Sequence, residues 1–258
     1  MDFLNSQILF GDCLNVLQNI PDNSVDFVCA DLPFGKTKNK WDVIIPPKPL
    51  WEEVWRVSKK NAAVVFFGQD KFSAMMMLSS KWHRYNLIYE KTTATGHLNA
   101  NRMPMRCHED MMVYYQKLPT YNPQKTTGHP RKVSTAKHKQ NSKKTSNYGE
   151  HGLTSYDSTE RFPRSVWKFK TDKQKGAKHA TQKPVDLIKE LVLTYSNEGE
   201  TVLDLCSGSG TLGEACVLTN REFILIEKCP KEYEKGKKRV EEVFNNLNLP
   251  HSHLFENL

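Results

Sequence analysis

Two short stretches of this 258-residue chain carry residue types that can do chemistry: Asp31-Leu32-Pro33-Phe34 near the start, and Asp204-Leu205-Cys206-Ser207-Gly208-Ser209-Gly210-Thr211 near the end. The first is a short polar-aromatic turn suited to a substrate. The second is a glycine turn opening a helix, where the backbone can pass close to a ligand. Each follows a run that reads as a buried strand, Val25–Ala30 and Thr201–Leu203. In a doubly wound α/β sheet, ligands collect just outside the carboxyl ends of the strands. One site assembled from both ends of the chain is therefore expected.

The glycine turn points to a nucleoside-bearing ligand. Glu227 ends the next apolar run, 19 residues after Gly208, where an acid in this architecture reaches ribose hydroxyls. Gly208-Ser209-Gly210-Thr211-Leu212-Gly213 also matches the dinucleotide pattern G-x-G-x-x-G. A dinucleotide site leaves Asp204 without an obvious role, however, and only 48 residues follow Gly210, too few for the rest of such a fold. An acid four residues before the first glycine, with a second acid after the next strand, fits S-adenosylmethionine better.

The elements that must position these turns follow from pattern. Val25–Ala30, Ala62–Phe67, Tyr85–Glu90 and Met111–Tyr115 read as strands, with helices over Pro47–Lys60 and Asp70–Ser80. After position 183 come a helix over Pro184–Ser196, strand Val202–Leu205, a helix from Thr211 to Leu218, strand Phe223–Ile226 and helix Pro230–Asn246. Strands alternating with helices predict βαβ units and a parallel sheet. Between Gln116 and Ala177 this alternation dissolves into Lys, Ser, Thr, Asn and His with interspersed aromatics.

That middle stretch also holds the charge. Residues 117–178 contain 15 Lys and Arg against 4 Asp and Glu, a net of +11, while the whole chain carries +8. A basic surplus confined to one segment is the footprint of a polyanion partner, and aromatics among the cations suit base stacking. A solvated insertion that binds nothing is the alternative. The six cysteines (13, 29, 107, 206, 216 and 229) form no C-x-x-C pair, which argues for reduced thiols and against a metal site. No apolar run reaches the roughly 18 residues of a membrane span, and the first residues lack signal-peptide character. A cytoplasmic protein with a nucleoid-associated substrate is expected.

Taken in order, these motifs resemble the amino-group DNA methyltransferases of the β arrangement, a circularly permuted class in which the catalytic motif precedes the cofactor motif. The family pattern [D/N/S]-P-P-[Y/F/W] stands here as Asp31-Leu32-Pro33-Phe34, with leucine for the first proline. The family's D-P-F-x-G-S-G-T is matched by Asp204–Thr211, departing at Leu205 and Cys206. Phe10-Gly11-Asp12-Cys13 resembles the segment whose acid reaches the cofactor's adenine ring. His179-Ala180-Thr181-Gln182-Lys183-Pro184 resembles H-P-T-Q-K-P, which approaches the cofactor's methionine end, and His108-Glu109 also recurs in relatives.

The resemblance implies a Rossmann-like α/β domain in two halves, 1–115 catalytic and 179–258 cofactor-binding, separated by a basic target-recognition insertion at 116–178. It implies that Asp31 and the Leu32 carbonyl accept hydrogen bonds from an exocyclic amino group, that Pro33 stiffens the turn, and that Phe34 stacks on the base. S-adenosylmethionine would be held by Asp12, Cys13, Lys183, Asp204, Cys206, Gly208, Gly210, Thr211 and Glu227. Within the insertion, Arg131, Lys132, Lys143, Lys144, Arg161 and Arg164 are the candidate contacts to double-stranded DNA. The implied reaction is methylation of adenine N6 in DNA, with cytosine N4 as the alternative. An RNA-base or protein-glutamine methyltransferase and a non-catalytic DNA-binding relative stand further off. A ring-carbon cytosine enzyme would need Pro-Cys; the chain has Cys229-Pro230, the reverse. A homodimer and a separate restriction endonuclease are partners such enzymes admit, and the sequence decides neither.

Overall fold

Val25–Ala30 turns its side chains alternately to two sides, Phe27 and Cys29 into one apolar cluster and Val28 and Ala30 into another. A strand buried on both faces needs helices on both, and the chain supplies them. In this computed structural model the described residues are 3–37, 39, 41–135, 155–170, 182–251 and 254. In chain order they form β1 (Gln7–Phe10), α1 (Cys13–Leu17), β2 (Val25–Ala30), α2 (Pro47–Val57), β3 (Ser58–Gly68), α3 (Asp70–Leu78), β4 (His83–Thr95) and β5 (Arg106–Tyr114). There follow β6 (Lys132–Ser134), β7 (Tyr156–Ser158), β8 (Val166–Phe169), α4 (Val185–Tyr195), β9 (Thr201–Asp204), α5 (Thr211–Val217), β10 (Glu222–Glu227) and α6 (Pro230–Asn246).

Eight strands make one sheet in the order β1-β10-β9-β2-β3-β5-β4-β8. All run parallel except β5, which is antiparallel to both neighbours. The expectation of a wholly parallel sheet is corrected at that strand. Leu187, Leu191, Leu212, Val240 and Phe244 from α4, α5 and α6 cover one face. Leu17, Leu50, Val54 and Phe72 from α1, α2 and α3 cover the other.

The chain divides into two compact units, Met1–Asn122 with Ser165–Leu258, and Pro123–Arg164. The smaller unit lies within the stretch 116–178 expected as an insertion. Strand β8, inside the basic stretch, pairs with β4 and buries Trp167. In the smaller unit, β6 and β7 pair antiparallel and Thr126 bridges to Arg161. The helix expected to reach Lys60 stops at Val57, because Ser58 pairs with Val25 and Lys59 reaches Asp26 at 2.6 Å. Strands β4 and β5 outrun their expected spans because their outer halves are polar and lie beyond the core. Among the described residues no helix is long and apolar enough to cross a membrane.

Candidate active site

The sheet order β1-β10-β9-β2 brings the predicted residues side by side, since each lies at the carboxyl end of its strand or just after it. Asp12 follows β1, Glu227 ends β10, Asp204 ends β9 and Asp31 follows β2. At about 4.8 Å per strand, the four stations span about 14 Å.

Beyond β2, Leu32 is buried in the core and Phe34 packs against Phe72 with ring centroids 4.9 Å apart. The chain then turns around Asp42. Its carboxylate accepts from the main-chain N–H groups of Gly35 at 2.8 Å, Lys36 at 2.9 Å and Thr37 at 2.6 Å. Burial alone would raise the Asp42 pKa, but these amides outweigh it and hold the acid below its ordinary value. Asp42 thus fixes the loop that follows Phe34, a role no local pattern announced.

The Asp31 side chain is one-third exposed, yet its two oxygens differ. Oδ2 accepts from Lys183 Nζ at 2.5 Å, whereas Oδ1 is buried without a hydrogen-bond partner. The Lys183 ammonium also lies 3.1 Å from Glu109 Oε2 and 4.9 Å from the centre of the Phe67 ring. Glu109 Oε1 in turn accepts from Lys91 Nζ and, at 3.1 Å, from Gln69 Nε2. Gln69 Oε1 takes a hydrogen bond from Arg106 at 2.6 Å. Carboxylates and ammonium groups therefore alternate: Asp31, Lys183, Glu109, Lys91.

The titration of these groups follows from that order. Burial raises the Asp31 pKa, Lys183 opposes it, and the net position is above the ordinary aspartate value. Burial disfavours the Lys183 ammonium, but Asp31 and Glu109 outweigh it and keep lysine charged. Burial likewise pushes Glu109 up, and Lys183 with Lys91 brings it below its ordinary value. Lys183, expected near the cofactor, here sits on the Asp31 carboxylate. Glu109 was noticed in sequence only as a recurring pair with His108; Gln69 and Lys91 carried no signal.

The glycine loop is held by backbone instead. Asp204 Oδ1 accepts from the Cys206 amide at 3.0 Å, and Glu227 accepts from the amides of Gly208 at 2.8 Å and Cys229 at 2.7 Å. Burial pushes the Asp204 carboxyl up to about 8, the Cys206 amide offsetting only part of it. Gly210 adopts a left-handed φ of 76°, and a Cβ there would meet the Gly236 carbonyl oxygen at 2.8 Å, so glycine lets α6 close on the loop. A Cβ on Gly208 would meet nothing within 4 Å, so the space before that residue is open.

Thr211 is buried and its hydroxyl accepts from Arg239 at 3.2 Å, a structural use. Asp12 caps α1 by accepting from Leu14 N at 3.1 Å, and the Cys206 thiol hydrogen-bonds that of Cys13, lowering the Cys13 pKa.

Among the expected DNA contacts, Arg131 is tied to Asp157 by two bonds of 2.7 and 2.6 Å, and Arg161 donates to the carbonyls of Pro130, Ser158 and Glu160. Both guanidinium groups are spent on folding the smaller unit. Lys132 and Arg164 are exposed. Lys143, Lys144 and His179–Thr181 lie outside the described residues.

Comparison with known proteins bears on this geometry. The chain is 26% identical to the type II methyltransferase M.HinfI of Haemophilus influenzae, over 96% of this chain and 71% of that protein. It is 26% identical to the DNA adenine methyltransferase YhdJ of Escherichia coli (strain K12), over 91% and 82%. The structure superposes on PvuII DNA methyltransferase (cytosine-N4-specific) with a TM-score of 0.64 at 12% identity, covering 92% and 90% of the two chains. On M1.HpyAVI in its SAM complex the TM-score is 0.58 at 21% identity, covering 90% and 98%. The DNA methylase model for N6- and N4-directed enzymes matches residues 25–238, which include both turns and the charged cluster between them, and the chain belongs to that family.

Proposed function

We propose that the chain transfers a methyl group from S-adenosylmethionine to the exocyclic N6 of adenine in double-stranded DNA. The observation that carries this reading is the asymmetry of Asp31, one oxygen anchored by Lys183 and the other buried without a partner. An exocyclic amino nitrogen is a poor nucleophile because its lone pair is delocalised into the ring. Asp31 Oδ1 accepts one N–H and the Leu32 carbonyl the other. These bonds favour the pyramidal geometry that develops in the transition state. Phe34 stacks on the base, and the Asp42 staple keeps its loop in place. Lys183 opposes the rise that burial imposes on the Asp31 pKa.

The cofactor fits the glycine loop: the open space before Gly208 admits a ligand, Glu227 stands ready for ribose hydroxyls, and the buried Asp204 lacks a bonded cation. When bound, S-adenosylmethionine supplies an electrophilic methyl group on a sulfonium. Asp12 and Cys13 lie on the adenine side and Cys206, Gly210 and Thr211 shape the loop. Lys183 serves this half only through Asp31. The basic residues of 123–164 are the surface offered to phosphates, with Lys132 and Arg164 the exposed candidates and Lys143 and Lys144 among the residues to test.

Cytosine N4 presents the same amino geometry, so the two acceptors alone do not distinguish the bases. An acid opening the catalytic turn favours adenine. Digestion of DNA from cells expressing the protein, followed by mass spectrometry of the nucleosides, should show N6-methyladenine. N4-methylcytosine alone would replace the substrate in this reading, and label confined to RNA or protein would end it. DNA affinity should also fall steeply with salt, as phosphate contacts require.

A further inference from the structure

We infer that the tip of the β4–β5 hairpin, His97–Met105, is a finger that enters the DNA stack and props open the gap left by the target base, with Leu98 as the wedge. The inference rests on the proposed function. Strand β3 makes its last pairing at Gly68 with Asp110, but β4 and β5 stay paired out to Thr95 and Arg106. Four residues of strand beyond Asp110 carry the hairpin about 13 Å past the end of β3. Because β4 runs parallel to β2, this projection leaves the sheet at the end that carries Asp31. Its two strands lie two and three positions from β2, about 10–14 Å sideways. That is within reach of a duplex whose extruded base lies at Asp31.

The composition of the tip suits that partner. All residues from Thr95 to Met105 are exposed, and among them Leu98 is 87%, Met103 50% and Met105 41% accessible. One exposed leucine would be ordinary; three large apolar side chains on one projecting tip are not. The tip contains no acid, and among the described residues the Arg102 guanidinium makes no hydrogen bond or ion pair. An apolar wedge beside a free cation matches a stacked polyanion, and proteins that unstack DNA insert leucine or methionine between base steps. The root of the finger is fastened to the catalytic cluster: Arg106 bonds Gln69 at 2.6 Å and pairs with Asp70 at 2.8 Å, and Gln69 bonds Glu109.

Extruding a base from an intact duplex costs lost stacking and pairing, and costs least where the base is already unpaired. The test uses two oligonucleotide duplexes bearing the sequence that the protein methylates in expressing cells. One is fully paired; the other has an abasic site opposite the target base. Leu98→Ala should slow methylation of the paired duplex by about tenfold or more, which is the size of losing one modest stacking contact. It should slow the abasic-opposed duplex by less than about twofold. Arg102→Gln should weaken binding to any sequence and lower the salt slope by about one phosphate contact. Unchanged activity of Leu98→Ala on the paired duplex would overturn the finger, and so would an equal loss on both. If the unaltered protein binds S-adenosylmethionine but methylates neither duplex, the proposed function falls and the finger with it.

Discussion

Around Asp31, carboxylates and ammonium groups alternate, whereas the Asp204 carboxyl meets a main-chain amide and, among the described residues, no bonded cation. The first centre pairs its charges before anything binds, and Lys183 opposes the rise that burial imposes on the Asp31 pKa. The second holds an acid whose pKa has risen to about 8, so at neutral pH it is largely protonated. On the proposed function, the first half would receive a neutral guest, the flat base. The other is left short of a positive charge, and a cationic ligand would make good that deficit.

The sharpest way to break this contrast is to remove its central acid. Asp31→Ala should lower single-turnover methyl transfer by about 100-fold or more, the size seen when one preorganised polar group is lost from a transition-state site. Equilibrium dialysis should show S-adenosylmethionine still bound. Full activity in this variant would refute the assignment of Asp31.

Changing its neighbours should shift the acid limb of the rate–pH profile in opposite directions. Lys183→Met removes the main opposition to burial, so Asp31 should protonate at higher pH and activity should fade earlier on acidification. Glu109→Gln removes a nearby negative charge, so Asp31 should hold its ionised form to lower pH. Loss of activity of about tenfold is expected in each, since misplacement of a catalytic group is costly. Shifts of the same sign in both would show that the charges do not act through Asp31.

On the other half, cofactor affinity should tighten as pH rises to about 8 and then level, because below that value binding must expel the Asp204 proton. The gain from pH 7 to pH 8 should be about fivefold if only the ionised acid binds. Titration calorimetry in two buffers of different ionisation enthalpy should register proton release, and Asp204→Asn should abolish it. The linkage runs the other way for the free protein. A carboxyl raised on folding adds stability at acid pH, which is lost as pH climbs from its unfolded value through about 8.

The smallest effect concerns the loop itself. Gly210→Ala should cost about 1–2 kcal/mol from its left-handed backbone, with more from the contact to Gly236, and lower the melting temperature. Gly208, at a φ of 50°, carries the same left-handed strain, but a Cβ there meets open space. Gly208→Ala should therefore lower the melting temperature less than Gly210→Ala and also weaken cofactor binding. Equal melting losses with equal affinities would erase the distinction between the two glycines.

Much of the sheet was legible, since strands buried on both faces announce themselves as short apolar runs. The span of β2 and of α6 could be read to the residue. Strand β8 was hidden because only Trp167 among its four residues is buried, and lysines surround it. The outer halves of β4 and β5 were hidden for the same reason. The two turns carrying Asp31 and Asp204 stood out through their residue types. Their surroundings did not, because ion pairs join positions far apart: Lys183 and Asp31 are 152 residues apart. No local pattern marks such a pair, nor the three amides gathered by Asp42.

The position of β9 and β10 has a consequence for synthesis on the ribosome. Strands β1 and β2 are made first but never touch; β10 and β9 stand between them. Until residues 201–227 emerge, β2 therefore has a bare apolar edge, and the ends of β1 and β2 have nothing to hold them in register. Pairing across such sequence distance is slow to form. The nascent protein should thus depend on shielding of that edge until its last strands arrive, and chains interrupted before then should aggregate rather than persist as partial folds.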